Sequence, residues 1–267
     1  MAAALQALIW DVDGTLAETE RDGHRVAFNE AFATMGLPWR WSVERYGELL
    51  AISGGLERLL CDLATRDDAP SVATERLALA RELHRRKNAA YAALMAHGTI
   101  ALRPGVLRLM HEARAVGARL AIATTTGRAN VEALMSRHLG AQWAEGFAAI
   151  VCAEEAPQKK PHPQAYRLAL ERLGLRPDET LAIEDSPNGL AAARAAGVPV
   201  LVTHSVYFAD FDVQEALAVC AHLDAPVRGR DGNIAPRVHW PWLCALHEAA
   251  CAATAAQFGR QTSMGQG

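Results

Sequence analysis

Five short apolar runs recur along the chain, and a helix-like spacing of apolar residues separates each run from the next. The runs cover residues 5–10, 118–123, 148–152, 180–183 and 199–202. Alternating strands and helices predict a parallel sheet with right-handed crossover connections. We therefore expect an α/β protein with a Rossmann-like parallel-sheet core.

The interval between the first two runs is too long for one crossover connection. Residues 19–97 show only helical periodicity, which predicts an all-helical cap inserted into the core. We expect a core domain over residues 1–16 and 100–225, a cap domain over 17–99 and a C-terminal extension over 226–267. Within the extension, 226–241 is predicted to be a loop, 242–258 an Ala-rich helix and 259–267 a disordered end.

Composition narrows the classes of function. The chain has 267 residues, of which 51% are hydrophobic. No apolar run approaches the roughly 20 residues that span a bilayer. The N-terminal residues lack the basic start of a secretory signal. A net charge of -3 without a strongly basic face argues against a nucleic-acid partner. Five cysteines without a Cys-x-x-Cys pair are expected to be reduced. We expect a cytoplasmic protein, a monomer or weak dimer, that does not bind a membrane.

The first apolar run leads directly into Asp11-Val12-Asp13-Gly14-Thr15. Residues i and i+2 of an extended backbone point to the same side, so the carboxylates of Asp11 and Asp13 are predicted to project together. Neighbouring anions are tolerated where a cation compensates them or where one carries a proton. One carboxylate can then act as a nucleophile while the other handles protons. An Asp-rich turn is also an ordinary way to end a strand.

Polar residues follow the other predicted strands, and open parallel sheets bind ligands at the carboxyl ends of their strands. Thr124-Thr125-Thr126 offers hydroxyls and amides to a phosphate, although threonines before a helix are also common N-caps. Lys160-Pro161 can aim an ammonium into such a site, although most lysines are simply solvated. Glu184-Asp185 offers the hard oxygen ligands that Mg²⁺ prefers. Together these segments favour one site at one sheet edge.

In this order, the four segments resemble those of the haloacid dehalogenase superfamily of aspartate-dependent phosphohydrolases. The all-helical insert resembles the cap of its beta-phosphoglucomutase-like branch. Within that branch, Asp22-Gly23-His24-Arg25, Tyr46-Gly47-Glu48-Leu49-Leu50 and Gly54-Gly55 with Glu57-Arg58 resemble the CbbY group, which removes phosphate from xylulose 1,5-bisphosphate, a misfire product that inhibits Rubisco. Leu56 stands where caps of that group generally have lysine.

The resemblance implies a mechanism for the core residues. Asp11 would attack phosphorus and form an aspartyl-phosphate. Asp13 would protonate the leaving oxygen and then activate water, which requires a carboxyl whose proton affinity a neighbouring anion raises. Mg²⁺ would be held by the Asp11 carboxylate, the Asp13 backbone carbonyl and Asp185, with Glu184 nearby or acting through water.

The resemblance also assigns residues to the substrate, which we expect to be a small sugar phosphate or bisphosphate. The residues that would hold the transferring phosphoryl group are Thr124, Thr125 and Lys160. Asn188 would help to place the helix after the acidic motif and to bind substrate. The cap would supply His24, Arg25 and Arg58 for the rest of the substrate, with Arg58 reading a second phosphate. Trp39 and Trp41 are expected to pack inside the cap.

Other functions fit the same motifs. A phosphomutase uses the same aspartates but retains its bisphosphate intermediate, and a phosphoglycolate-type phosphatase differs only in substrate. A dehalogenase is disfavoured because it has no use for the second aspartate or the metal acids. A catalytically silent binding protein on this fold is a remote alternative, since it has no reason to keep four mutually repelling carboxylates.

Overall fold

The structure, a computed structural model, describes residues 4–98 and 100–264, with side chains described as far as residue 253. All five predicted strands are present: β1 Ala7–Trp10, β2 Arg119–Ala123, β3 Ala149–Val151, β4 Thr180–Glu184 and β5 Val200–Thr203. Three further short strands follow, β6 Ala218–Cys220, β7 Val227–Gly229 and β8 Ile234–Ala235. The sheet order is β3-β2-β1-β4-β5-β6-β7-β8. The first six strands are parallel, whereas β7 and β8 are antiparallel to their neighbours.

The central strands are buried on both faces, as expected for a parallel sheet covered by helices. Along β1, Leu8 and Trp10 pack into one hydrophobic cluster, and Ala7 and Ile9 pack into another on the opposite face. The helices of the core are α5 Val106–Ala115, α6 Arg128–Leu139, α7 Gln164–Leu173, α8 Pro187–Ala195 and α9 Trp240–Met264. The predicted α/β class with a parallel-sheet core is confirmed.

The cap is helical, as predicted. A π-helical turn at Glu20–His24 leads into α1 Arg25–Thr34, α2 Val43–Leu49, α3 Gly55–Ala64 and α4 Ala73–His97. These helices enclose their own hydrophobic cluster, in which Trp39 and Trp41 are buried among Phe28, Phe32 and Tyr46. The two tryptophans therefore belong to the packing of the cap. The boundaries proposed above for the core, cap and extension stay predictions.

The C-terminal part differs from the sequence-based expectation. Residues 226–241, predicted to be a loop, contain strands β7 and β8, which extend the sheet beyond β6. The last helix runs to Met264, so residues 259–264 are helical where a disordered end was expected. Residues 265–267 lie outside the described residues. Within the described ranges, no helix has the length and apolarity needed to cross a membrane.

Candidate active site

Three carboxylates converge where strands β1 and β4 end side by side. Asp11 follows β1, Glu184 is the last residue of β4, and Asp185 follows it. The Asp11 amide donates to the Ile183 carbonyl at 3.0 Å, so the ladder between the strands continues into the site. All three side chains are buried, and one oxygen from each lies within 4.8 Å of the others. We call these residues the carboxylate cluster.

Two glycines make room for the carboxylate cluster. A Cβ on Gly14, which has a φ of +81°, would lie 2.0 Å from Oδ2 of Asp185. A Cβ on Gly189 would lie 1.9 Å from Oε2 of Glu184. Since real Cβ contacts are never this short, any side chain at either position would displace a carboxylate. These two glycines are thus required by the site.

The ammonium of Lys160 bridges two members of the carboxylate cluster. Its Nζ lies 2.5 Å from Oδ1 of Asp11 and 2.6 Å from Oε1 of Glu184. Burial alone would lower the pKa of Lys160, but the two carboxylates raise it above its usual value, so the ammonium stays charged. The lysine predicted to hold the phosphoryl group therefore lies against the predicted nucleophile.

One ammonium does not balance three buried carboxylates. Burial and the charge of Glu184 raise the pKa of Asp11 to about 8 despite the neighbouring Lys160. Burial and the charges of Asp11 and Glu184 also raise the pKa of Asp185 well above its usual value. Raised acid pKa values mean that positive charge is lacking. The cluster offers only carboxylate oxygens, and a hard divalent cation fits that donor set.

Asp13 is held by donors from three other segments. His24 Nε2 lies 2.9 Å from Oδ1 of Asp13, the Thr19 hydroxyl donates to the same oxygen at 2.5 Å, and the Thr126 hydroxyl donates to Oδ2. Burial alone would raise the pKa of Asp13, but His24 and the two hydroxyls lower it below its usual value. The expectation that a neighbouring anion raises the proton affinity of Asp13 is wrong for this arrangement, because the donors stabilise the carboxylate.

The remaining predicted core residues line a small cavity above the carboxylate cluster. This cavity, which we call the acidic cavity, has a volume of about 50 Å³. Its lining includes Thr124, Thr125 and Lys160. Asn188 also lines it, and its side-chain amide donates to the Ala51 carbonyl and the Ser53 hydroxyl of the cap, each at 3.2 Å. The structure thus brings the predicted core residues together and places Asn188 at the contact with the cap.

A second cavity, the cap cavity, adjoins the acidic cavity and has a volume of about 250 Å³. Glu20, Arg58 and Thr125 line both cavities. The cap cavity also receives His24, Leu56 and Lys87. His24 is buried and stacks on Tyr91 with the ring centroids 4.3 Å apart. Two cavities that share a wall can hold two parts of one molecule.

The predicted cap arginines are already engaged. Arg58 is buried and donates to the Leu49 and Ile52 carbonyls and, at 2.8 Å, to the Tyr46 hydroxyl. Its guanidinium therefore lies at the cavity wall while it donates hydrogen bonds to these three protein acceptors. Arg25 donates to the Arg21 and Trp41 carbonyls and is not among the residues described as lining either cavity. The structure therefore places Arg58, but not Arg25, at the wall of the two cavities.

Sequence reasoning missed several polar residues of the site. Glu20 accepts from the Tyr46 hydroxyl at 2.5 Å and lies 3.8 Å from Arg58. Lys87 is buried, with its ammonium 5.2 Å from the ring centre of Phe28. Tyr166 donates to Glu184 at 2.5 Å. These residues lie on helices outside the recognised motifs, and helical spacing alone does not show which face meets the site.

Comparison with known proteins agrees with this geometry. The haloacid dehalogenase-like hydrolase family matches residues 5–197. The plasmid CbbY protein of Cupriavidus necator is 45% identical over 243 residues, which are 91% of this chain and 95% of that protein. CbbY of Rhodobacter capsulatus is 48% identical over 203 residues, or 76% of this chain and 87% of that protein.

A solved structure gives the same result. The crystal structure of CbbY from Rhodobacter sphaeroides in complex with phosphate superposes with a TM-score of 0.76 and 42% identity, over 82% of this chain and 94% of that one. A mutant of that CbbY has been crystallised with xylulose 1,5-bisphosphate. The resemblance inferred from the motifs is confirmed: the chain belongs to the haloacid dehalogenase-like hydrolase family, in its CbbY group, and is a phosphatase.

Proposed function

We propose that this phosphatase is Mg²⁺-dependent and hydrolyses a small sugar bisphosphate, with xylulose 1,5-bisphosphate as the first candidate. The observation that carries the proposal is the pair of adjoining cavities, each with a buried lysine, Lys160 in the acidic cavity and Lys87 in the cap cavity. A bisphosphate presents one anionic group to each. The complex of the Rhodobacter sphaeroides relative with xylulose 1,5-bisphosphate supports this substrate class.

The chemistry begins at Asp11. Its carboxylate attacks phosphorus, the bond from phosphorus to the sugar oxygen breaks, and that oxygen takes a proton from Asp13. Water then attacks the aspartyl-phosphate and gives a proton to Asp13, so Asp11 and inorganic phosphate are released. In the substrate complex, the phosphate charge raises the pKa of Asp13 and so offsets the effect of His24, Thr19 and Thr126.

The other core residues bind and orient the transferring group. Lys160, with Thr124 and Thr125, holds its oxygens, while Asp11 and Asp185 carboxylates and the Asp13 carbonyl would hold Mg²⁺. A bound Mg²⁺ neutralises charge on the phosphoryl oxygens. The Glu184 carboxylate accepts from Lys160, Tyr166 and the Asp185 amide, and in this proposal it anchors Lys160 beside the metal site.

Removing the metal or Asp185 is expected to abolish phosphate release. EDTA should stop turnover, and Mg²⁺ or Mn²⁺ should restore it. Asp185→Ala should weaken Mg²⁺ binding, measured by calorimetry, by at least about tenfold, because one charged ligand is lost. Asp178→Ala, at an acidic residue of the 3₁₀-helix before β4, is the matched control. Full activity in EDTA, or unchanged metal binding by Asp185→Ala, would refute the metal assignment.

Lys87 supplies a buried positive charge in the cap cavity, where Leu56 supplies none. Both side chains line this cavity, and the Lys87 ammonium lies 3.5 Å from the Asn88 side-chain oxygen. By contrast, the guanidinium of Arg58 already has three protein acceptors. The second phosphate of the substrate therefore contacts Lys87. Arg58 forms part of the wall that the acidic cavity and the cap cavity share.

Raising the pH above 8 is expected to weaken bisphosphate binding. Burial lowers the pKa of Lys87 to about 8, although the charges of Asp13 and Glu20 oppose this shift. The ammonium is present below that pH and lost above it, so KM for the bisphosphate should rise about threefold to tenfold between about pH 7.5 and about pH 9.5. Lys87→Arg, which keeps its charge, should flatten the rise. An equal rise in Lys87→Arg would remove Lys87 from phosphate binding.

The proposal also covers binding partners and cellular compartment. The protein binds a small sugar phosphate as its substrate, binds neither nucleic acid nor a membrane, and is a cytoplasmic monomer or weak dimer. The five cysteines support a reducing compartment because all of them are free. Release of inorganic phosphate without an isomerised sugar phosphate, followed by ³¹P NMR, separates this function from phosphomutase activity. Accumulation of an isomer would favour the phosphomutase.

A further inference from the structure

Tyr166 lies beneath the carboxylate cluster, on helix α7. It is buried, and its ring packs into the hydrophobic cluster on one face of the sheet. Its hydroxyl donates to Oε1 of Glu184 at 2.5 Å. The centre of its ring lies 5.1 Å from Nζ of Lys160. One side chain therefore contacts both partners of a buried ion pair, Glu184 through its hydroxyl and Lys160 through its ring.

The contacts of Glu184 explain why this hydroxyl matters. Oε1 accepts from both Lys160 and Tyr166, whereas Oε2 accepts from the Asp185 amide at 3.2 Å. The backbone of Gly189 lies directly beside this carboxylate, so close that a Cβ there would overlap it. Lys160 Nζ is shared between Glu184 at 2.6 Å and Asp11 at 2.5 Å. The position of the ammonium over Asp11 thus depends on where Oε1 of Glu184 is held.

We propose that Tyr166 is a positioning residue that fixes Glu184 and, through it, holds the Lys160 ammonium against Asp11. Without the hydroxyl, Oε1 would keep Lys160 as its only side-chain donor and would draw the ammonium towards itself. The ammonium would then bind the transferring phosphoryl oxygens less well in the transition state, where their charge is greatest. This inference rests on the proposed role of Asp11 as the nucleophile.

Tyr166→Phe tests the inference because it removes the hydroxyl and keeps the ring. We expect kcat to fall about tenfold and KM to change by less than about twofold, since the lost contact acts on the transition state rather than on substrate binding. Tyr207→Phe is the matched control, because its hydroxyl has no hydrogen-bond partner among the described residues. That variant should keep wild-type kcat. A crystal structure of Tyr166→Phe should show Lys160 Nζ displaced from Asp11 towards Glu184.

The outcomes separate this inference from the proposed function. A kcat for Tyr166→Phe within about twofold of wild type, or a loss seen only in KM, would overturn the positioning role. An unchanged distance between Lys160 and Asp11 would overturn it as well. If Asp11→Asn is inactive while Tyr166→Phe is fully active, the proposed chemistry stands and only the inference fails. If Asp11→Asn remains active, the chemistry itself fails.

Discussion

Asp11→Asn should lower kcat by at least about a thousandfold while the protein stays folded, because an amide oxygen cannot replace the carboxylate nucleophile. The melting temperature in EDTA should hold or rise. Asp11 is buried beside Glu184 and Asp185. Above its pKa of about 8 the substitution removes a repelling charge, and below that pH it replaces a neutral carboxyl with a neutral amide. Lys160 keeps Glu184 as its partner at 2.6 Å, and no buried ammonium is left unpaired.

Activity and thermal unfolding of Asp11→Asn should be measured on the same preparation. Asp178→Asn, on the surface before β4, controls for the loss of a carboxylate elsewhere and should leave kcat unchanged. More than a few per cent of wild-type kcat in Asp11→Asn would exclude Asp11 as the nucleophile. A clear fall in melting temperature would show that the loss of turnover follows from unfolding.

Lys160→Met should abolish turnover and, unlike Asp11→Asn, destabilise the metal-free protein. The substitution removes the buried ammonium that lies between Asp11 and Glu184. Removing one partner of a buried ion pair typically costs about 3–5 kcal/mol, because an uncompensated buried charge remains. Chemical denaturation in EDTA should therefore show a loss of this size, together with a loss of phosphate release.

The neighbouring lysine provides a control for the stability effect. The ammonium of Lys159 donates to the Ala153 carbonyl at 3.0 Å and lies outside the carboxylate cluster. Lys159→Met should change the free energy of unfolding by less than about 1 kcal/mol. If Lys160→Met is as stable as wild type in EDTA, the ammonium does not stabilise the cluster, and the charge argument for this site is wrong.

The sequence predicted the central sheet because its strands lie in apolar runs, and even the three-residue strand β3 lies within the longer apolar run 148–152. Strands β1 to β5 are apolar runs separated by helices, and that arrangement indicates a parallel sheet. Strands β6 to β8 have only two or three residues each, such as Ile234–Ala235. Segments this short show no periodicity, and they became visible only through their pairing in the sheet.

The core of the site was predictable for a related reason. Asp11, Lys160 and Asp185 follow strand ends, and the sheet brings those ends together. The pKa of Asp13 was not predictable, because two of its donors, Thr19 and His24, come from the cap and the third, Thr126, comes from the loop after β2. Lys87 and Tyr166 were missed because each lies within a helix, where only the packing decides which polar side chain reaches the site.

The most direct test of the proposed substrate class compares kcat/KM for phosphate release with Mg²⁺ across related compounds. Xylulose 1,5-bisphosphate should be compared with ribulose 1,5-bisphosphate, fructose and glucose bisphosphates, glucose 1-phosphate and phosphoglycolate. The two adjoining cavities predict that xylulose 1,5-bisphosphate exceeds every monophosphate by at least about tenfold, since a second charge-assisted contact forms only with a bisphosphate. A monophosphate that is hydrolysed as well as the best bisphosphate would contradict the account.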